Sequence, residues 1–319
     1  MNTGEASFNV GAGGERLDRF LAARVQGRSR SQVKDLILRE CVQVDGLRRG
    51  PDYRLLRGQC VTLRWPRPSW SKGSIEDWVI DEDKDILVLE KPTGLLMHPM
   101  GTTWEAEPES ALSEEEPSLA GLLHVRRPLL AGSGVTRCGL VHRLDRHTSG
   151  VLVVAKNAPS QAALLEAFRE RTVRKQYRAI VLGILGAVRV DAPVGRLSGM
   201  RRVQVTRWGR EAKTDFRPIG SGRGVSLVAA EPKTGRTHQI RAHLAMLGHP
   251  VLGDQDWFRE KERMALGSLG HPEPPRMMLH AAVLSFAHPR TGKKVTFRAS
   301  PPKDFRDYWA SLKAPKGKR

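Results

Sequence analysis

The chain has 319 residues, 53 Lys plus Arg against 34 Asp plus Glu, a formal net charge of +19 and a hydrophobic fraction of 39%. Length and apolar content exclude a disordered chain and favour one large and one small domain, while the charge suits a polyanion, nucleic acid first, because each neutralised phosphate releases counterions. Cys41, Cys60 and Cys138 have no close pair and exclude a disulfide framework or a zinc knuckle, and no window of the chain approaches a membrane span, so a cytoplasmic protein without a membrane partner is expected.

From the N-terminus, Leu17, Phe20, Leu21 and Val25 recur at helical spacing. A second helix follows with Val33, Leu36 and Ile37 on one face, and Ser29 or Ser31 with Gln32 offers its cap. "CVQVDG" and "CVTLRW" alternate as short strands, with Asp45-Gly46 as a turn. Residues 15–67 carry thirteen Lys plus Arg against six Asp plus Glu, much of the excess on the polar helix faces at Arg16, Arg30 and Lys34, which reads as a docking surface for an RNA backbone. The entry Arg16-Leu17-Asp18, the serine-arginine start of the second helix and the exit "VQVDG" resemble an S4-like RNA-binding domain. That resemblance implies RNA as partner and leaves the reaction open.

Residues 68–79 read as a linker, rich in Pro, Ser and Gly. Beyond it, "DILVLEKPTG" gives a buried strand at Ile86 to Leu89 and a turn at Lys91-Pro92-Thr93-Gly94. Six Glu between Glu105 and Glu116 form an acidic stretch whose default is a solvated loop. Further strands are expected at Val151–Ala155, Gln176–Leu182, Arg202–Thr206, Lys213–Arg217, Val225–Glu231 and Lys294–Arg298, and helices at Ser160–Arg169 and Thr237–Leu247. Strands dominate without regular alternation with helices, so residues 80–305 are expected to form an α+β domain on a mixed, largely antiparallel sheet, with 306–319 as a basic tail.

Three segments can bring polar groups together: "HRLDRHTSG", "RKQYRAIVLG" and "KTGRTHQIRAHLAMLGHPVLGD". Singly each has an ordinary reading. Asp145 could cap a turn, Tyr177 could be strand packing, and Arg241 could be a structural arginine. As an ordered set, with "LVLEKPTGLLMHP" before and "LHAAVLSFAHP" after, they resemble the RluA-type pseudouridine synthases over residues 80–305. The resemblance implies the pseudouridine synthase fold and isomerisation of uridine in RNA, with Asp145 as the essential aspartate, Arg241 as its partner and Tyr177 against the uracil, suited to stacking and to removing the carbon 5 proton. Arg143 would fill the space of a flipped-out nucleotide. His142, chiefly a brace for the turn, Arg236 and His238 complete the substrate contacts.

The chemistry fits those residue types. The bond from ribose to base nitrogen breaks, the uracil turns, and it rejoins through carbon 5, a change that needs no metal or other cofactor. It needs an ionised carboxylate, which a paired arginine keeps charged and oriented, and it needs the base out of its stack. Asp145 either attacks the ribose anomeric carbon or assists elimination to a glycal. Large-subunit ribosomal RNA is the favoured substrate and transfer RNA the alternative, acted on by a monomer. Two other readings stand beside this one. A noncatalytic RNA-binding protein has no need of the set Asp145, Tyr177 and Arg241. A carboxylate-dependent glycosidase needs a second carboxyl about 5 to 9 Å from the first, and none is expected beside Asp145. Trp257, where the family more often has tyrosine, and the acidic stretch are departures from its pattern.

Overall fold

The apolar spacing at Leu17, Phe20 and Leu21 folds as α1 (Leu17–Ala22), and Val33, Leu36 and Ile37 form the inner side of α2 (Arg30–Leu38). This is a computed structural model that describes residues 5–25, 30–38, 41–64, 75–99, 117–130, 133–197, 199 and 202–313. The cap at Ser29 lies outside them, as do the side chains of Ser31 and Gln32. The chain divides into two compact units, Met1–Ser71 and Lys72–Arg319.

In the first unit both helices pack against strands β1 (Glu5–Asn9), β2 (Val42–Val44), β3 (Leu47–Arg48) and β4 (Cys60–Arg64), in the order β1-β4-β2-β3. Asp45 and Gly46 have φ of 51° and 76°, the pair of positive values that a type I′ hairpin between β2 and β3 requires. Strand β1 was not expected, because Phe8 is the one large apolar residue in "EASFN".

The second unit is built on a nine-stranded sheet ordered β5-β6-β7-β14-β8-β13-β12-β9, with β15 on β14. Its strands are β5 (Val79–Glu82), β6 (Ile86–Lys91), β7 (Ser149–Ala155), β8 (Arg174–Leu182), β9 (Val188–Asp191), β12 (Lys213–Gly222), β13 (Val225–Pro232), β14 (Leu279–Ala287) and β15 (Lys294–Arg298). β10 (Val194–Arg196) and β11 (Val203–Val205) pair separately. Helices α3 (Leu119–Arg126), α4 (Ala158–Arg169), α5 (Gln239–Met246), α6 (Glu260–Ser268) and α7 (Lys303–Lys313) complete it. All pairings in the large sheet are antiparallel except β7 with β14, so the mixed, largely antiparallel α+β architecture is the one observed. Every residue of β7 is buried, as its β-branched run implies.

Three segments differ from expectation. Ile75–Trp78 forms a single 3₁₀ turn, so regular structure starts inside the segment read as linker, whose residues 68–74 lie outside the described residues. Residues 306–313, expected as the start of a basic tail, belong to α7, whose Phe305, Tyr308 and Leu312 are buried at helical spacing despite the surrounding charge. Strand β14 lies in the middle of the sheet, although its run "LHAAVLSFA" has no alternation to mark it. The acidic stretch of residues 105–116 falls outside the described residues.

Where β7 meets β14 the backbones are in close contact. Gly150 has φ of 119°, and a Cβ there would stand 2.2 Å from the Ala281 carbonyl oxygen. Gly150→Ala is therefore expected to lower stability by about 3 kcal/mol or more, measured by chemical denaturation. Beside it His280, 0% exposed, donates from Nε2 to the Ala299 carbonyl and accepts at Nδ1 from the Ser149 hydroxyl, at 3.0 Å each. Burial pushes the His280 pKa down to about 4. Below about 6.5 the unfolded chain takes up a proton that the folded chain refuses. Stability is thus expected to fall by about 1.4 kcal/mol per pH unit from this group between about 6.5 and 4. The same titration on His280→Gln should show a shallower decline.

Candidate active site

Asp145 sits on the turn that enters β7, and two layers of backbone hold that turn. Thr148 N donates to the Asp145 carbonyl at 3.0 Å. The segment Lys91–Gly94 wraps it: Gly94 N donates to Arg146 O at 2.8 Å, Arg146 Nε returns a bond to Gly94 O at 3.1 Å, and Thr93 Oγ1 donates to His147 O at 2.9 Å. Beneath lies Lys91, 0% exposed, whose Nζ donates to Pro92 O, Leu95 O and Arg146 O at 2.8, 2.9 and 3.1 Å. Three carbonyls match the three N–H bonds of an ammonium. Burial pulls the Lys91 pKa down to about 7, while the charge of Asp145 works the other way. Lys91 was legible only as part of a turn, yet it locks the two segments together.

Arg241 reaches the same point from α5. Its Nη1 donates to Asp145 Oδ2 at 3.2 Å. The rest of the guanidinium is fixed by Asp254, at 2.6 Å from Nε and 2.7 Å from Nη2, and by Asp256, at 2.6 Å from Nη2. Trp257 covers it, with its ring centroid 5.1 Å from Cζ. Burial opposes the charge, but the hydrogen bonds to Asp254 and the charges of Asp254, Asp145 and Asp256 outweigh it and raise the Arg241 pKa above its ordinary value. The expectation that no second carboxylate accompanies Asp145 is overturned, because Asp254 and Asp256 share its arginine. Both are acceptors for the guanidinium, and Asp254 is only 1% exposed, so they serve as its anchors.

His238 is the N-cap of α5 in the left-handed region, φ 53°. Its Nε2 lies 3.8 Å from Asp145 Oδ1, its Nδ1 lies 3.8 Å from Asp256 Oδ2, and its ring meets Trp257 edge-on. Burial chiefly lowers its pKa. Tyr177, on β8, lines the same cleft, and its phenol is pushed above the ordinary range by burial and by the charge of Asp145. His142 accepts at Nε2 from Val153 N at 3.0 Å and stacks on Phe168, so its ring ties the turn to β7 and α4. Arg143 is exposed at the cleft, and Arg236 donates from Nε to Glu211 O at 3.0 Å. The cleft has a volume of about 480 Å³.

Arg16, Arg30 and Lys34 belong to the first unit. Arg16 and Arg30 meet on one carboxylate, Asp18, at 3.1 and 2.9 Å. Asp18 is 2% exposed. Burial would raise its pKa, but the two guanidinium groups outweigh that and hold it below the usual carboxylate range. Lys34 is exposed on α2. Asp18 was legible as part of a motif but not as the organiser of two arginines twelve and two residues away.

Among the described residues one group has metal-ligand character, Asp83, Asp85 and His288. Its atoms are engaged. Asp85 takes Arg290, Ser160 and Asn157, at 2.5 Å for Arg290 Nε, and His288 bonds Asp83 at 2.8 Å. None of these residues lines the cleft.

A carboxylate and a multiply anchored arginine meet in a basic cleft on an α+β sheet, an arrangement an enzyme can use, and the separate basic unit points to RNA as a partner. The profile described as RNA pseudouridylate synthase matches residues 85–246, and that of the S4 domain matches residues 15–60. A protein of Zymomonas mobilis described as ribosomal large subunit pseudouridine synthase D is 36% identical over 304 residues, covering 91% of this chain and 92% of the relative. An uncharacterized RNA pseudouridine synthase of Bacillus subtilis is 34% identical, covering 94% of each. Among solved structures, human RNA pseudouridylate synthase domain containing 4 superposes with a TM-score of 0.58 at 25% identity, over 75% of this chain and 94% of the human one. The chain belongs to the RNA pseudouridylate synthase family. It is an RNA pseudouridine synthase, an isomerase. No helix among the described residues is long and apolar enough to cross a membrane.

Proposed function

We propose that this protein converts defined uridines of large-subunit ribosomal RNA to pseudouridine, with Asp145 as the reacting carboxylate on a flipped-out uridine. The observation that carries the reading is the Asp145–Arg241 pair, 3.2 Å apart, at a cleft walled by Tyr177. The choice of RNA rests on relatives whose names refer to the large ribosomal subunit.

Asp145 acts at the ribose anomeric carbon as the bond to N1 of uracil breaks. The freed uracil turns within the cleft, C5 bonds the anomeric carbon, the C5 proton leaves, and N1 takes one up, so the atoms of the nucleotide are conserved. Arg241 holds the carboxylate aimed throughout and keeps a positive charge beside it. A phenol held protonated supports Tyr177 as the wall on which the uracil lies rather than as the base that takes the C5 proton. Arg143, exposed beside the turn, is suited to occupy the helix position that the target leaves.

The test is a map of pseudouridines by carbodiimide-dependent reverse-transcription stops. RNA is compared from cells lacking the protein and from cells given back the native chain or Asp145→Asn. A stop in large-subunit RNA that vanishes, returns with the native chain and stays absent with the variant is the expected result. A stop that behaves so only in transfer RNA would move the substrate there, and unchanged stops throughout would sink the reading.

A further inference from the structure

Several cations line the cleft, and most are already engaged. Arg241 holds its carboxylates, Arg169 bonds Glu166 at 2.5 Å, Arg171 bonds Glu211 at 3.1 Å, and Arg236 donates to the Glu211 carbonyl at 3.0 Å. Lys175 differs. It is half-buried on β8, with no hydrogen bond and no carboxylate within ion-pair distance among the described residues. Its charge is coupled to Arg171 and His142, Tyr177 shares its strand face, and burial together with the Arg171 charge lowers its pKa. A partly desolvated ammonium without a counter-ion is unfavourable in the free protein, and an anion arriving with the substrate removes that penalty.

The surroundings define where the anion sits. Nζ lies 6.0 Å from the centroid of the Phe168 ring, and a Cβ built on Gly235 would stand 3.8 Å from it. Gly235, in the loop before α5, therefore lies alongside Nζ without a side chain of its own. Lys175 and Tyr177 are two apart on one strand, so their side chains share a face with roughly 7 Å between them. That separation matches the reach from a base to the backbone of its own nucleotide. A uracil lying on Tyr177, with its sugar at Asp145, brings a flanking phosphate toward the ammonium.

We propose that Lys175 binds a phosphate flanking the target uridine and so sets the position of the flipped nucleotide. The assignment rests on the RNA reading above and goes beyond it by naming the group recognised. Lysine suits the task as a point charge with three donors. Its role is to position: it holds the backbone and leaves the reacting atoms to Asp145.

The test uses the full chain and a stem-loop RNA carrying a mapped target uridine labelled with tritium at C5, which is released as the reaction proceeds. Each flanking phosphate is replaced in turn by an uncharged methylphosphonate. Lys175→Met is expected to raise KM and the dissociation constant about tenfold with kcat changed less than twofold, and to lower the salt slope of binding by ~0.7–0.9. Lys175→Arg should restore most of the affinity. At one of the two positions the methylphosphonate should weaken the native chain equally and add nothing to Lys175→Met. Losses that multiply at both positions would overturn the proposal, as would a fall in kcat with KM unmoved. A melting curve of Lys175→Met that matches the native one separates these results from misfolding. A native chain that binds the RNA but releases no tritium would instead strike at the proposed reaction, and the methylphosphonate comparison by binding still decides the role of Lys175.

Discussion

Asp145→Asn is expected to abolish tritium release from C5-labelled RNA, by on the order of 10⁴-fold in kcat, while RNA affinity and melting temperature stay near those of the native chain. The amide keeps the size of the carboxylate and can still accept from Arg241 Nη1, which spans 3.2 Å in the native site. It cannot supply the charge. Only the chemical step is lost, because the turn is held by backbone bonds from Thr148 and Gly94 and by Lys91 beneath. If Asp145→Asn retains a tenth of native turnover, another group carries the reaction.

Changes at Arg241 should damage fold and activity together. Arg241→Met leaves Asp254, Asp256 and Asp145 without their shared cation, one of them almost fully enclosed. Breaking a buried ion network in this way costs about 3–5 kcal/mol, expected as a fall of roughly 10 °C in melting temperature. Arg241→Lys keeps the charge, but one ammonium cannot serve three carboxylates in the plane of a guanidinium. Its expected signature is a loss of about 100-fold in kcat with a smaller loss of stability. Full activity in Arg241→Lys, measured by the same tritium release, would show that the fork geometry is not what aims Asp145.

The parts of this architecture that were legible in the sequence are those marked by a period or by punctuation. Val151–Ala155 announced β7 through its β-branched run, Asp45-Gly46 announced a hairpin, and the spacing of Leu17, Phe20 and Leu21 announced α1. β14 was hidden because a strand buried on both faces loses its alternation. α7 was hidden because Lys and Arg surround the spaced Phe305, Tyr308 and Leu312. At the site, motif order alone brought Asp145, Tyr177 and Arg241 together, and the structure gathers them at one cleft. The groups that hold them were harder to see. Lys91 works through backbone carbonyls, Asp254 and Asp256 work through another side chain, and Lys175 is distinguished by being half-buried without a hydrogen bond or ion pair among the described residues. Such relations are set by tertiary contact, for which a single sequence carries no periodic signal.

The central position of β14 has a consequence for synthesis. Ser149 and His280, which bond where β7 and β14 run parallel, are 131 residues apart, and Asp145 and Arg241 are 96 apart. Long-range pairings close late, and while the chain is still being made the last of these partners does not yet exist. The first unit has no such debt, since its helices and strands pair within its own short stretch of chain. It can fold while the rest is being translated. A growing polypeptide therefore completes its S4 unit well before both sides of its cleft have been made, and an unfinished copy carries the first unit without the site.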